Sequence, residues 1–222
     1  MKYADRTIEV TEAKKHGLVA ALDEVGRGAI AGPVGVGCVI VGADMPPAPQ
    51  VADSKLLGQN RRSALVKEIK QWALAWGIGY ASPAEIDRYG IVVALRTAGR
   101  RALKHCQMSA NFILLDGKHN WLSVPDPDLL TAADHPDLDP TLPPVPSVRT
   151  IVKGDMQCSA LAAASILAKV DRDEIMVKTP DPGYGWVNNK GYGSRAHLEA
   201  ITRLGISPFH RRSWKIPGVK ET

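Results

Sequence analysis

The stretch Leu18-Val-Ala-Ala-Leu-Asp-Glu-Val-Gly-Arg-Gly28 leads directly into a second apolar segment, residues 29–41. Its five consecutive apolar residues predict a buried strand over 17–23 that ends at Asp23 and Glu24. Carboxylates beside a core are costly unless a metal ion, a basic side chain or protonation neutralises them. The glycines allow a close backbone approach to a ligand, and Arg27 offers a fork for phosphate. The stretch indicates either a metal and phosphate site or a solvated hairpin, and charge cost alone does not separate these alternatives.

Composition and charge distribution favour a globular protein with an anionic partner. The 222 residues are 45% hydrophobic and 23% charged, which fits one large domain or a domain with an appendage. The net charge is +5, and basic residues concentrate after Asn188, whereas residues 119–148 contain no Lys or Arg. We therefore expect a nucleic acid to meet the C-terminal region.

The three cysteines, Cys38, Cys106 and Cys158, are scattered and form no Cys-x-x-Cys pair. This spacing argues against a disulfide framework or a zinc site and favours a reducing compartment. The first residues contain no hydrophobic signal core, and the apolar segment 29–41 is too short to cross a bilayer. The sequence predicts a cytoplasmic protein that does not enter membranes.

Periodicity and turn signals predict an α/β layer structure with a mixed sheet. Two early strands form a hairpin around a turn at 26–33, and strands then alternate with helices. The sequence Ser82-Pro-Ala-Glu85 matches a capping box, and Ser194 and Gly205 match the cap and stop of another helix. The predicted strands are 17–23, 34–41, 77–81, 112–116 and 147–152, and the predicted helices are 59–76, 92–106, 159–177 and 194–204. Residues 125–146 contain seven of the 16 prolines and predict an exposed, poorly structured insertion.

Three apolar runs end in acids, namely Asp23 with Glu24, Asp116, and Asp155. If these strands are neighbours, four carboxylates converge at one edge of the sheet, where α/β proteins bind ligands. An all-carboxylate set suits Mg²⁺ or Mn²⁺ better than zinc, and two such ions about 4 Å apart support phosphodiester hydrolysis. Taken singly, Asp116-Gly117 is an ordinary turn and Asp155 could be a helix cap. The pattern is specific only as a set.

Further short motifs follow the first in order across most of the chain. They are Asp23-Glu-Val-Gly-Arg-Gly28, Ala31-Gly-Pro33, Asp53-Ser-Lys55, Leu115-Asp-Gly117, Lys153-Gly-Asp155, Ala163-Ala-Ser-Ile-Leu-Ala-Lys169, Arg172-Asp173 and Lys190-Gly-Tyr-Gly193 with His197. Together they resemble the type 2 ribonucleases H, and among these the bacterial ribonuclease HII family. The resemblance implies a ribonuclease H-like mixed sheet flanked by helices, with a C-terminal helical extension. Residues 1–178 would be the catalytic domain, with an insertion at about 121–147, and residues 179–222 the basic, substrate-binding extension.

The resemblance also implies an activity. Members of this family are endonucleases that need Mn²⁺ or Mg²⁺ and cut the RNA strand of RNA/DNA hybrids. They also cut at a single ribonucleotide embedded in duplex DNA, on its 5′ side, leaving a 3′-hydroxyl and a 5′-phosphate. Such an enzyme would remove ribonucleotides and RNA primers during DNA replication and repair. We expect a monomer.

Residue roles follow from the resemblance by position. The metal-binding and catalytic acids would be Asp23, Glu24, Asp116 and Asp155. The substrate-binding residues would be Gly26, Arg27, Gly28, Lys55 and Tyr192. The glycine-rich turn would read the 2′-hydroxyl, which distinguishes RNA from DNA. Tyr192 would pack on the sugar of the following deoxynucleotide, although from sequence alone it could equally be a turn residue.

Other polar residues have plainer interpretations. Lys169 lies four residues before Asp173, which predicts a helix-surface ion pair. Ser165 is predicted to be a small packing residue, and Arg195, Arg211 and Arg212 either track the nucleic-acid backbone or form a solvated face. His105, His119 and His197 are predicted to be structural or solvated. Two rival functions are a Holliday-junction resolvase, which would not need the Gly-Arg-Gly turn, and a catalytically silent nucleic-acid-binding module.

Overall fold

The computed structural model of the chain describes residues 4–50, 59–124 and 135–217. Its helices and strands, in chain order, are α1 (Thr7–His16), β1 (Val19–Val25), β2 (Val34–Val41), α2 (Gln59–Trp72), β3 (Ala75–Ala81), α3 (Pro83–His105), β4 (Phe112–Asp116), β5 (Ser147–Ile151), α4 (Ser159–Lys178), α5 (Trp186–Asn189) and α6 (Arg195–Leu204). Short 3₁₀ turns lie at Pro136–Leu138 and Gly154–Met156.

The strands form one mixed sheet in the order β3-β2-β1-β4-β5. β1, β2 and β3 pair antiparallel, whereas β4 runs parallel to β1 and β5 parallel to β4. Helix α4 covers one face and α3 the other. The predicted hairpin and the predicted mixed sheet flanked by helices are both confirmed.

Glycines in the strands allow both helices to approach the sheet closely. A Cβ at Gly37 would lie 2.2 Å from the backbone oxygen of Ala164 in α4, and one at Gly79 would lie 2.1 Å from that of Ala98 in α3. Real Cβ atoms essentially never come so near a backbone atom. Small residues on both partners therefore set the spacing of the layers, and α4 comes close to the end of β1.

Several predicted boundaries were wrong by a few residues. β1 continues through Glu24 to Val25, because these residues pair with Val36 and Gly35 of β2. The helix predicted over 59–76 ends at Trp72, because pairing with β2 draws residues from Ala75 onward into β3. Here sheet hydrogen bonding overrides the helical spacing of the apolar residues.

Helix α3 begins at the predicted capping box and continues into the helix predicted over 92–106. The Ser82 hydroxyl accepts from the backbone N–H of Glu85 (3.2 Å), and the Glu85 carboxylate accepts from the N–H of Ser82 (2.8 Å). A break at Gly90, with φ +79°, separates this first turn region from the rest of the helix. The apolar periodicity after the break marks only the second part of α3.

The insertion was predicted to be poorly structured, which is wrong for its described residues 135–146. Arg100 of α3 donates to five backbone carbonyls there, those of Pro136, Asp137, Asp139, Leu142 and Pro143. Arg96 pairs with Asp137 at 2.5 Å, and Leu142 is buried. The two buried arginines order this proline-rich segment, because Arg100 satisfies its carbonyls and Arg96 pairs with the carboxylate of Asp137. The remainder of the insertion, 125–134, lies outside the described residues.

After α4, the chain forms a small separate core around Tyr184, Trp186 and Ile201. The Ser194 side chain caps α6 and Gly205 ends it, as predicted. None of the helices in the described ranges is long and apolar enough to cross a membrane.

Candidate active site at the sheet edge

Three of the predicted acids meet on the face of the sheet that α4 covers. Leu22 of β1 and Leu115 of β4 are register partners, so Asp23 and Asp116 follow at the same level of neighbouring parallel strands. Asp155 lies in the 3₁₀ turn Gly154–Met156 that leads from β5 towards α4, not at the strand end as predicted. The strands β1, β4 and β5 are neighbours in the sheet, which meets the condition under which the sequence predicted that the acids converge.

Glu24 is directed differently from Asp23. Successive side chains of a strand point to opposite faces, and both residues lie within β1 because the strand continues to Val25. A carboxylate oxygen of Glu24 lies 3.2 Å from the Arg27 guanidinium, and Glu24 also hydrogen bonds to Trp121. Arg27 is therefore an ion-pair partner of Glu24.

Burial and mutual repulsion shape the ionisation of these acids. Asp23 is 6% exposed, and burial, followed by the charges of Asp116, Glu24 and Asp155, raises its pKa well above the ordinary value. Burial likewise raises the pKa of Glu24, while Arg27 opposes this shift. Asp116 accepts a 2.6 Å hydrogen bond from the N–H of Gly154, which fixes its carboxylate beside the turn that carries Asp155.

Ser165 is a site residue that the sequence interpretation missed. It was predicted to be a packing residue, yet its side chain hydrogen bonds to Asp23 and lowers the pKa of that acid. The close approach of α4 at Gly37 brings it there, since Gly37 is the register partner of Asp23. The only sequence signal was a single hydroxyl among the alanines of a buried helix face.

The donor chemistry of this edge fits a hard divalent cation. All four candidate ligands are carboxylates, which suit Mg²⁺ or Mn²⁺, and a cation would offset the repulsion that raises the pKa of Asp23. Within residues 4–50, 59–124 and 135–217, however, no three Asp, Glu, His or Cys side chains are arranged to hold a metal ion together as they stand. Binding would have to draw the carboxylates together.

The Gly26–Gly28 turn beside the acids packs against a buried arginine of α4, which also hydrogen bonds to the segments that follow the turn. Arg172 is fully buried and donates to the carbonyls of Pro33 (2.8 Å), Lys190 (3.0 Å) and Ala31 (3.2 Å). Gly26 has φ +73°, and a Cβ there would lie 2.1 Å from Nε of Arg172. This position requires glycine both for its backbone conformation and for its contact with the guanidinium.

A second buried arginine, Arg211, holds the same turn from the C-terminal tail. It donates to the carbonyls of Gly26 (2.6 Å), Arg27 (2.8 Å) and Gly32. Burial, together with the charge of Arg172, lowers its pKa to about 9. The interpretation of Arg211 as a residue that contacts the nucleic-acid backbone was therefore wrong. Arg195 and Arg212 are exposed, and Arg195 pairs with Glu199.

Tyr192 lies next to this turn although it is far away in sequence. The carbonyl of Gly191 accepts from the N–H groups of Ile30 (2.9 Å) and Ala31 (3.1 Å). The Tyr192 side chain is 37% exposed, and the Arg172 guanidinium lies 5.4 Å from the centre of its ring. The structure thus brings Tyr192 and the Gly26–Gly28 turn together around Arg172, whereas Lys55 lies outside the described residues.

The other polar candidates have structural roles. Lys169 and Asp173 form the predicted ion pair at 2.6 Å, and Asp171 accepts from the hydroxyl of Tyr80. His105 bonds the carbonyl of Ile78, His197 is fully buried, and His119 is exposed. The histidine predictions are confirmed.

Comparison with known proteins shows which family this chain resembles in sequence and in fold. Residues 20–216 match the family model for ribonuclease HII. Ribonuclease HII of Streptomyces avermitilis is 39% identical over 212 residues, covering 95% of this chain and 81% of the relative. Ribonuclease H2 of Pyrococcus horikoshii OT3 shares the fold with a TM-score of 0.62 at 25% identity, covering 90% of this chain and 94% of that one. Bst-RNase HIII, solved in complex with Mn²⁺, has a similar fold with a TM-score of 0.56 at 18% identity, covering 84% and 61%. The chain belongs to the ribonuclease HII family of endonucleases.

Proposed function

We propose that this chain is a divalent-metal-dependent endoribonuclease that cuts the RNA strand of RNA/DNA hybrids and single ribonucleotides embedded in duplex DNA. It cuts on the 5′ side of the ribonucleotide and leaves a 3′-hydroxyl and a 5′-phosphate, and it serves ribonucleotide and primer removal in the cytoplasm. The observation that carries the proposal is the clustering of Asp23, Asp116 and Asp155 beside the braced Gly26–Gly28 turn. We expect the protein to act as a monomer.

The metal ligands would be Asp23, Glu24, Asp116 and Asp155, with Mg²⁺ or Mn²⁺ as the cation. Mn²⁺ is the ion bound by the structurally similar Bst-RNase HIII. A bound cation of this type activates water and stabilises charge on phosphate oxygens. The Ser165 hydrogen bond would favour the ionised form of Asp23 against the burial that raises its pKa, and Gly154 would orient Asp116 by its 2.6 Å hydrogen bond. These two hydrogen bonds would fix the positions of the metal-binding carboxylates before the substrate binds.

Substrate recognition would use the turn and Tyr192. Gly28 is exposed, and no atom lies within 4 Å of the position that a Cβ would occupy there. A backbone free of side chains on this surface can approach a ribose and hydrogen bond to its 2′-hydroxyl. The exposed ring of Tyr192 would pack on the sugar of the next nucleotide, where a deoxyribose fits better than a ribose. Residues 179–222 would provide further basic contacts, and binding would weaken with salt.

The two rivals account for fewer of these features. A resolvase with the same acids has no need of a turn that reads a 2′-hydroxyl or of the adjacent tyrosine. A silent binding module would not gather carboxylates at its surface, because they repel phosphates unless a cation lies between them.

A substrate panel tests the proposal. Three labelled duplexes of identical sequence, one all DNA, one with a single ribonucleotide and one RNA/DNA hybrid, are incubated with Mg²⁺, Mn²⁺ or EDTA. We expect one cut 5′ to the single ribonucleotide, several cuts in the hybrid, none in DNA, and none with EDTA. Cleavage of a four-way DNA junction would support the resolvase, and binding without cleavage in either metal would support the silent module.

A further inference from the structure

The C-terminal core contains two buried imidazoles that the proposed function does not use. His197 lies on α6 and His210 in the tail after it, and both are fully buried. Their Nε2 atoms lie 3.1 Å apart. A direct contact between two buried histidines is only favourable when one ring donates a proton and the other accepts it.

The surrounding hydrogen bonds fix which ring is the donor. Nδ1 of His197 lies 2.9 Å from the carbonyl oxygen of Tyr192, which can only accept, so His197 carries its proton on Nδ1 and its Nε2 accepts. His210 must therefore donate from Nε2. Its Nδ1 then accepts from the N–H (3.0 Å) and the hydroxyl (2.9 Å) of Ser207. All four ring nitrogens are satisfied, and both rings are neutral.

Further backbone contacts connect the two histidines to residues 30–32, which follow the Gly26–Gly28 turn. His210 pairs with Ala31 in an antiparallel bridge, and the N–H of Gly32 donates to the carbonyl of Phe209 at 2.8 Å. Ile30 and Ala31 in turn donate to the carbonyl of Gly191, the neighbour of Tyr192. Tyr192 is thus tied to residues 30–32 twice, once through Gly191 and once through the two imidazoles.

We propose that His197 and His210 form a positioning relay that sets Tyr192 against the Gly26–Gly28 turn and thereby sets the preference for a deoxynucleotide after the ribonucleotide. This inference rests on the proposed function and adds two positioning residues to it. The loop before Tyr192 needs such support, since Lys190 and Gly191 both have positive φ and belong to no strand. A small displacement of a substrate-contacting group such as Tyr192 is expected to cause a large loss of selectivity.

Two amide substitutions at His197 separate positioning from packing. In His197→Asn the amide nitrogen replaces Nδ1 and can still donate to the carbonyl of Tyr192. In His197→Gln the amide reaches the Nε2 position instead, so it can contact His210 but leaves that carbonyl without its donor. Both variants are polar and similar in size, and each breaks one of the two links of the relay while it keeps the other.

The readout is the junction preference, the ratio of kcat/KM for two duplexes in which the nucleotide after the scissile ribonucleotide is deoxy or ribo. We expect both variants to lower this ratio, His197→Asn because it loses the contact with His210 and His197→Gln because it loses the bond to Tyr192, each by up to about tenfold, the equivalent of one buried hydrogen bond. Tyr184→Phe removes a hydroxyl bond to Gly205 in the same core and should leave the ratio unchanged. Melting curves show which variants are folded.

A double variant tests whether the relay acts through Tyr192. Tyr192→Ala combined with His197→Gln should have the same junction preference as Tyr192→Ala alone. A further loss in the double variant, or losses of kcat/KM in the His197 variants that are the same for both duplexes, would overturn the relay and leave the histidines a packing role. Absence of any junction preference in the unaltered chain would overturn the proposed role of Tyr192, and the relay with it, whereas absence of cleavage of both duplexes would overturn the proposed function itself.

Discussion

The acids at the sheet edge and the loops beside them are stabilised in opposite ways. The acids repel one another, and burial together with neighbouring carboxylates raises the pKa of Asp23. The loops contain two buried cations, but each guanidinium nitrogen of Arg172 and Arg211 donates to at least one backbone carbonyl. The acids at the sheet edge are therefore destabilised by mutual repulsion. The loops are stabilised because backbone carbonyls accept hydrogen bonds from their buried arginines.

This difference separates chemistry from recognition. The clustered carboxylates are costly in the folded protein and are stabilised when a cation binds between them, which is typical of a functional site. The buried arginines and histidines hold backbone instead, and they fix loops that regular structure does not support. Substitutions in the first region should therefore affect activity more than stability, and substitutions in the second should affect stability at least as much.

The largest expected effect is at Asp116. In Asp116→Asn, cleavage at a single ribonucleotide should fall by about a thousandfold, as when one preorganised charged group leaves an active site. The melting temperature should stay the same or rise, because a repelling neighbour of Asp23 has become neutral. Glu174→Gln, which breaks an exposed pair with Lys178, is the control. If the Asp116→Asn variant stays active, Asp116 is not part of the active site.

At Arg172 the main expected effect of a substitution is on stability. Arg172→Met leaves three loop carbonyls without their donor and should reduce the free energy of unfolding by about 3 kcal/mol or more. Arg195→Met removes an exposed arginine paired with Glu199 and should change it by less than about 0.5 kcal/mol. Urea denaturation measures both. Equal effects would mean that burial of Arg172 does not matter.

Two glycines of the turn sharpen the comparison within a single segment. Gly26→Ala should cost about 2 kcal/mol of stability, because φ is +73° and the new Cβ would meet Arg172. Gly28→Ala meets no atom within 4 Å and should leave the unfolding curve unchanged. If this glycine lies against the nucleic acid, Gly28→Ala should nevertheless lower kcat/KM about tenfold. Full activity in Gly28→Ala would show that the substrate does not approach there.

The two regions should also respond oppositely to acid, with the smallest effect of the four, about 1 kcal/mol. Burial, with the charge of His197, lowers the pKa of His210 from 6.5 to about 4, so the unfolded chain binds an extra proton between these values and stability falls as pH falls. Tyr184 and Trp186 pack against the pair, and the charge of Asp181 favours protonation of His197. Asp23 has a raised pKa, so its contribution changes in the opposite direction.

Denaturation at about pH 7 and about pH 5 separates these contributions. His210→Gln should lose less stability on acidification than the unaltered chain, and Asp23→Asn should lose more. Identical pH dependence in all three proteins would contradict the assignment of these slopes to the two residues.

Much of the fold was readable from local patterns. The apolar runs ending in Asp23 and Asp116, the capping box at Ser82 and Glu85, and the cap at Ser194 each depend on residues adjacent in sequence. Boundaries failed where pairing between distant segments decided them, as at Val25 and Trp72. The described half of the insertion was misjudged because its order comes from Arg96 and Arg100, which precede it by about forty residues.

The sequence by itself determined the mixed sheet, the acids at its strand ends and the family, because hydrophobic periodicity and short motifs are local properties. Only the tertiary structure decided that Asp23 and Glu24 face opposite sides, that Ser165 touches Asp23, and that Arg211 lies inside and not on the nucleic-acid surface. The sequence alone does not distinguish a charged side chain surrounded by water from one surrounded by backbone carbonyls. Which of these solvates the charge depends on packing between segments far apart in the chain.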